Sequence, residues 1–271
     1  NGTVFSETIN HYDKQQSGLT YGLLTSTEAL VTAGVKITTQ STQFDGHGNP
    51  KRVTDANGHS RTFEYDDAGI LLISEQVEFN EHSPAYSLRM TASYDSVRDA
   101  IIEASSWMLV EGGSIKSPAH STYYSYDDFS RLVAIARPGD TRDSPTETYE
   151  YDVRDPISRI IRHARSQSGG GLDIEEVQCF DGLGRKFETR ARIDSSHFQV
   201  FGYTTFDKQG NAGDSYQPFI GNGNTCDSTL PVGVLATHSK HDAAQRALTV
   251  THPDSDIYGS ASITTTAYAP L

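Results

Sequence analysis

Apolar and polar residues alternate along this chain in short runs instead of recurring at helical spacing. In His59–Tyr65, Phe63 and Tyr65 fall on one face and Thr62 and Glu64 on the other. Thr122–Tyr126 aligns Tyr124 with Tyr126, Thr146–Tyr151 aligns Tyr149 with Tyr151, and Val200–Phe206 alternates in the same way. Period-two runs bounded by Gly, Asp, Asn and Pro predict antiparallel strands, roughly sixteen to eighteen of them. The best helical candidates are Ser26–Ala33 and Asp99–Met108, and the second reads equally well as a strand. Fourteen Tyr, 11 Phe, 23 Gly and only 2 Met agree with strands punctuated by turns. The predicted fold class is all-β.

A second periodicity lies above the alternation. An aromatic followed by Asp, a small or turn residue, then Gly and Asn or Arg recurs along the whole length. The copies are Phe44-Asp45-Gly46-His47-Gly48-Asn49, Tyr65-Asp66-Asp67-Ala68-Gly69, Tyr126-Asp127-Asp128-Phe129-Ser130-Arg131, and Tyr151-Asp152 with Arg159 beyond. The clearest are Phe180-Asp181-Gly182-Leu183-Gly184-Arg185 and Phe206-Asp207-Lys208-Gln209-Gly210-Asn211. Weaker ones begin at Tyr12, Tyr94 and His241. Each residue type has a mechanical role. The ring closes a strand and packs on its neighbour, and the Asp accepts backbone N–H groups two residues on. The Gly supplies positive φ, and the Arg or Asn opens the returning strand. A step of about 28 residues fits two strands with their connections.

These residues resemble the YD-repeat, or RHS-repeat, family: Tyr-Asp-x-x-Gly-Arg, an apolar strand, then often a Pro/Asp-Gly turn. Pro138-Gly139-Asp140 and His252-Pro253-Asp254 stand where that second turn is expected. From Phe180 to Phe219 the chain is most similar to the YD-repeat section of the B component of bacterial ABC (Tc) insecticidal toxin complexes and their SpvB-like relatives. The resemblance implies a spiral array of antiparallel β-hairpins that forms part of a hollow β-shell. It implies a single array over 1–271, a fragment of a larger chain, that acts as a secreted structural wall enclosing a toxic effector polypeptide. The implied partners are the remainder of the shell, the enclosed effector and a C-type toxin subunit. Asp155-Pro156-Ile157-Ser158 lacks the Gly of the family's self-cleavage segment, Asp-Pro-x-Gly, so autoproteolysis is not carried over. An extracellular adhesion or glycan-binding module, as in surface YD-repeat proteins resembling teneurins, is the alternative.

Charge narrows the partners. With 22 Lys+Arg against 35 Asp+Glu the net charge is 22 − 35 = −13, which disfavours nucleic acid and anionic membrane surfaces. The longest apolar stretches, such as Ile70–Ile73 and Trp107–Val110, fall far short of the roughly 20 residues of a membrane span. Cys179 and Cys226 are too few for a disulfide framework or a thiolate zinc site, and either one bridge or two inert thiols fits.

Candidate chemistry reduces to architecture. Asp66-Asp67 and Asp127-Asp128 sit in repeat turns, and Glu175-Glu176 on a strand point to opposite faces, unlike a facing catalytic pair. His238 and His241 lack a metal-binding pattern. Asp45–Asn49 and Asp55–Gly58 are rich in oxygen ligands but lack EF-hand spacing, so turn formation is expected there. Gly46–Gly48, Gly169–Gly171 and Gly221–Gly223 lead into no Gly-Lys-Ser/Thr, and 166–171 and 221–233 read as long exposed loops. No serine lies in a nucleophile elbow. The expectation is a non-enzymatic chain with no cofactor and no metal, whose repeated rings pack instead of stacking sugars.

Overall fold

The computed structural model describes residues 6–13, 21–32, 34–79, 85–117, 120–153, 157–226, 230–253 and 262–268. Among these residues there are 23 strands and no helix. The chain divides into two compact units, Asn1–Arg131 with Ala136–Arg142, and Leu132–Ile135 with Asp143–Leu271.

The first unit is a hairpin meander. Its strands are β1 (Thr8–Tyr12), β2 (Leu24–Thr32), β3 (Val35–Phe44), β4 (Pro50–Asp55), β5 (Ser60–Tyr65), β6 (Leu72–Phe79) and β7 (Tyr86–Tyr94). They are followed by β8 (Ile101–Ser105), β9 (Met108–Glu111), β10 (Ser114–Ile115) and β11 (Ser121–Tyr126). Strands β1 to β7 each pair antiparallel with the next. Register sorts side chains into two faces. One row runs Gln43, Arg52, Thr62, Gln76 and Arg89; the adjacent row runs Thr42, Val53, Arg61, Val77 and Leu88. Both faces hold ion pairs, Arg52–Glu78 at 2.7 Å on the first and Arg61–Glu75 at 3.0 Å on the second.

The meander forks at β7. Its first half, Tyr86–Arg89, pairs with β9, whereas Ala92–Tyr94 pairs with β8. A strand that changes partner leaves ladder groups unmatched at the change. Buried Ser105 fills that gap, its hydroxyl oxygen accepting from Thr91 N at 2.8 Å.

The second unit has two sheets. One contains β12 (Leu132–Ala136), β13 (Glu147–Asp152), β14 (Ser158–Ala164), β15 (Ile174–Phe180), β16 (Lys186–Arg192) and β17 (His197–Phe201), and β20 (Phe219–Asn222) pairs back onto β17. The other contains β18 (Thr204–Phe206), β19 (Ala212–Tyr216), β21 (Ala236–His241), β22 (Ala247–Thr251) and β23 (Ile263–Thr265). The core lies here: Ile161, Val177, Cys179, Phe187, Phe198, Val200 and Tyr203. Tyr203 is its hub, meeting Phe187, Tyr216 and Phe219 edge-on with centroids 5.4–6.1 Å away. Burial raises its phenol pKa, and the nearby Glu188 carboxylate adds to the effect.

Two readings of the chain change here. Ser26–Ala33 is strand from Ser26 to Thr32, and Asp99–Met108 carries β8 and the start of β9. Ladder pairing, absent from any single segment, outweighs weak helical spacing. The strand count exceeds expectation in part because β10, β18 and β23 span only two or three residues, too short for alternation to mark.

Removing the hub ring should cost unit 2 far more than removing a rim ring. Tyr203→Ala is expected to destabilise by about 3–5 kcal/mol in denaturant unfolding, whereas Phe129→Ala, on a ring 80 % exposed, should fall within about 0.5 kcal/mol. Equal losses would contradict this placement of the core.

Candidate functional site

The repeated feature is a five-residue turn begun by Asp. Six copies share one hydrogen-bond scheme among the described residues: 45–49, 55–59, 127–131, 181–185, 207–211 and 242–246. The Asp N–H donates to the fifth carbonyl at 2.9–3.0 Å, and the fourth N–H returns to the Asp carbonyl at 2.9–3.3 Å. The Asp Oδ1 accepts from the third and fifth backbone N–H groups, as with Leu183 at 2.9 Å and Arg185 at 3.0 Å on Asp181. Oδ2 takes the side chain of the fifth residue: Asn49 Nδ2 at 3.2 Å, Arg131 Nε at 2.7 Å, Arg185 Nε at 2.8 Å, Asn211 Nδ2 at 3.0 Å and Arg246 Nε at 2.8 Å. In the copy at Asp55, His59 Nδ1 lies 3.0 Å from Oδ2.

The fourth position has positive φ in every copy. Gly48, Gly184 and Gly210 occupy it at 90°, 75° and 88°, as do Ser130 at 61° and Gln245 at 62°. A side chain at these angles is strained, which Gly avoids. Asp66 and Asp95 build a version one residue longer, Asp66 N donating to Leu71 O and Asp95 N to Ala100 O. Gly69 lies at φ 69° in the first, and its N–H donates to Asp66 O at 2.9 Å. Asp152 ends β13 and accepts Arg159 Nε at 2.8 Å. Residues 154–156, including Asp155 and Pro156, lie outside the described residues.

This scheme answers the calcium reading of Asp45 and Asp55, since their carboxylates already accept turn donors. Donors also lower the carboxyl pKa values. The N–H groups of Leu71 and Ile70 act on Asp66, those of Val97 and Arg98 on Asp95, the Asn211 amide on Asp207, and the Arg246 N–H then guanidinium on Asp242. On Asp127 and Asp181 desolvation opposes the shift but is outweighed by Arg131 and Arg185.

Aromatics of the repeat couple each turn to the preceding one, a role sequence reasoning assigned to ring packing alone. Tyr65 Oη donates to Pro50 O at 3.2 Å, Tyr94 to Leu72 O at 2.8 Å, Tyr126 to Ile101 O at 2.9 Å, Tyr151 to Leu132 O at 2.8 Å and Tyr268 to Ala247 O at 3.1 Å. Every acceptor is the first residue after an Asp turn: the nearest preceding one for Tyr94, Tyr126, Tyr151 and Tyr268, and for Tyr65 the turn at 45–49, one before the turn at 55–59. Phe206 lacks the hydroxyl and instead lies under the Arg185 guanidinium, 4.1 Å from the ring centroid; Arg246 covers Tyr268 at 4.2 Å. The signal that could have found this is the Arg or Asn at the fifth position with an aromatic one repeat onward. Phe44 and Phe180 end β3 and β15, each paired across a register shift with a residue of the next strand.

A second cluster lies in unit 2. Arg190 and Glu188 form a buried ion pair, Nε to Oε1 at 2.7 Å with side chains 2 % and 0 % exposed. Beside it Cys179 and Cys226 form a disulfide, which closes the bridge-or-thiol alternative. Arg190 also donates to the carbonyls of Asn222 and Gly223 at 3.2 Å, and Arg159 to Asn224 O at 2.9 Å. Asn224 Nδ2 donates to Glu175 Oε1 at 3.0 Å. Residues 222–226, expected as part of a long exposed loop, are thus a strap pinned across β14, β15 and β16. A sequence reading has no access to donors 32–65 positions away. The group Cys179, Glu188 and Cys226 has metal-ligand chemistry, but the bonded sulfurs are not thiolates and Glu188 is held by Arg190, so it does not fit a cation.

The other candidates do not converge. Glu175 is buried and bonded to Arg192 and Asn224, whereas Glu176 lies on the opposite face beside Gln178. His238 Nδ1 lies 2.7 Å from Asp214 Oδ1. An open groove of about 440 Å³ in unit 1 is lined by Val53, Phe63 and Val77, with Asp55, His59 and Arg61.

Comparison with known proteins agrees with this geometry. Residues 44–76, which contain the turns at Asp45, Asp55 and Asp66, match the family described as RHS Repeat. Among solved structures the chain is similar to the crystal structure of TcdB2-TccC3, with a TM-score of 0.65 at 12% identity over 97% of this chain and 17% of that one. It is similar to TcdB2-TccC3-TEV at the same TM-score and 10% identity, over 97% of this chain and 19% of that one. The chain therefore spans under a fifth of the proteins whose fold it shares. No curated protein matches.

Substitutions at the fourth turn position should have opposite signs. Ser130→Gly is expected to stabilise and Gly184→Ala to destabilise, each by about 1 kcal/mol in urea unfolding. The same sign for both would contradict the turn analysis. Tyr94→Phe should cost about 1 kcal/mol through its lost bond, with no change at Phe206, which has no hydroxyl to lose. The lowered Asp pKa values fix the acid response. Their stability is fully present above the unfolded value of 3.8 and is lost as pH falls through the lower folded values. Circular dichroism should show a loss of fold below about pH 4, and Asp66→Asn and Asp242→Asn should each flatten that dependence.

Proposed function

We propose that this chain, which carries an RHS repeat in an all-β antiparallel fold shared with TcdB2-TccC3, is a non-enzymatic wall segment of a toxin shell. The shell would enclose a toxic effector polypeptide before delivery, with the remainder of the shell, the effector and a C-type toxin subunit as partners. The observation that carries this reading is the coupled turn. Asp turns close the hairpins, and after the turns at Asp66, Asp95 and Asp127 the next repeat's tyrosine ties to the residue just beyond the turn, so hairpins add edge to edge by local contacts. Such an array makes a continuous barrier from local parts. It needs no catalytic cleft, and the carboxylates are spent on turns.

Surface chemistry and redox state support the same reading. The strand faces of unit 1 mix Val53, Phe63 and Val77 with Arg61 and Glu75, which suits a partly folded guest better than a uniformly apolar wall. The net charge of −13 gives a basic guest a weak, salt-sensitive hold. The disulfide is consistent with secretion. No helix among the described residues is long and apolar enough to cross a membrane.

The test uses the full-length protein that contains this chain, co-expressed with its effector. The assembled shell should protect the effector from protease, and the triple variant Tyr94→Phe, Tyr126→Phe, Tyr151→Phe should raise its cleavage rate several-fold. Equal cleavage with and without the shell would refute enclosure.

A further inference from the structure

We propose that the Cys179–Cys226 disulfide is a redox latch on the 222–226 strap, closed when oxidised and released by a dithiol reductant. This inference does not depend on enclosure of an effector. It rests on how the strap is held and on what remains when the bond is gone.

At its start the strap is tied by the β17–β20 ladder, which pairs Asn222 with His197, and by Gly223 N–H donating to Ser196 O at 2.9 Å; beyond that, side-chain hydrogen bonds and one covalent bond hold it. The hydrogen bonds come from Arg190 to Asn222 O and Gly223 O, from Arg159 to Asn224 O, and from Asn224 to Glu175. Every charged residue among these has a second partner inside the sheet. Arg190 keeps Glu188 at 2.7 Å, Arg159 keeps Asp152 at 2.8 Å, and Glu175 keeps Arg192 at 3.1 Å. Lifting the strap therefore strands no buried charge, the usual reason such a segment stays down. Exchanging the strap's own bonds for water costs little net free energy per bond. Apart from the packing of Cys226 at the edge of the core, the covalent bond is the contact that water cannot replace.

The two sulfurs differ in the way a latch requires. Cys179 is fully buried in the core, and Cys226 is half-buried at its edge. A reductant thiolate reaches Cys226 Sγ and forms a mixed disulfide there, while the S–S bond breaks and Cys179 departs with the electron pair. The reagent's second thiol then attacks its own sulfur in the mixed disulfide and expels Cys226. The reagent is oxidised to its internal disulfide, the protein disulfide is reduced, and the reagent's two protons end on the two cysteines. Cys179 has a place for its proton. Its sulfur lies 3.3 Å from Glu188 Oε1, so the new S–H donates to a carboxylate whose charge Arg190 already balances.

Alkylation mapping and amide hydrogen exchange on the intact chain, with and without dithiothreitol, test the latch. Before reduction neither cysteine should alkylate. Afterwards both should, with the far-UV β signal retained, and exchange at 222–226 should rise about tenfold or more while β13 stays within about twofold. Cys226→Ser should show the fast strap without any reductant; should it not fold, the dithiothreitol arm still decides. Thiols that alkylate in oxidised protein, reduction that occurs only with loss of the β signal, or a strap whose exchange is unchanged by reduction would each overturn the proposal.

Discussion

Chain reversal leaves backbone N–H groups that no ladder can pair, and this fold depends on the Asp carboxylate that takes them. In six turns the same oxygen accepts two N–H groups and its twin anchors the side chain that starts the next strand. A turn satisfied from within needs no support from a distant layer. That is how a meander such as unit 1 can be built from hairpins whose faces are half-buried and mixed. The lowered Asp pKa values follow from the same donors.

A satisfied turn also fixes what comes after it. It sets the position of the first carbonyl of the returning strand, and the next repeat's tyrosine spends its hydroxyl there. Where a tyrosine follows, coupling between repeats is thus carried by one polar contact, and the ring supplies the apolar area around it. At Phe206, which has no hydroxyl, the Arg185 guanidinium of the preceding turn covers the ring, as Arg246 covers Tyr268 beside its hydroxyl bond to Ala247 O. Unit 2 adds to this local logic a true core about Tyr203 and a strap held by residues from three strands.

The chain's own residues determined the strands, the turns and their order. Alternation over His59–Tyr65 and Thr146–Tyr151 is a local pattern, and the Asp and Gly of 181–184 make hydrogen bonds that close within five residues. Recurrence of the aromatic marked the array for the same reason. The turn expected at Asp55–Gly58 is not counted among the repeat copies in the sequence because no aromatic precedes it, although its Asp and Gly make the same bonds.

Tertiary structure alone decided the rest. The hydroxyl contacts join residues 15–25 apart, the strap's donors lie 32–65 away from their acceptors, and the cysteines meet across 47 residues. The helical spacing of Ser26–Ala33 yielded to strand pairing on both sides of β2. Contacts of that range depend on which strands become neighbours and in what register, and register is a property of pairs of strands, never of one.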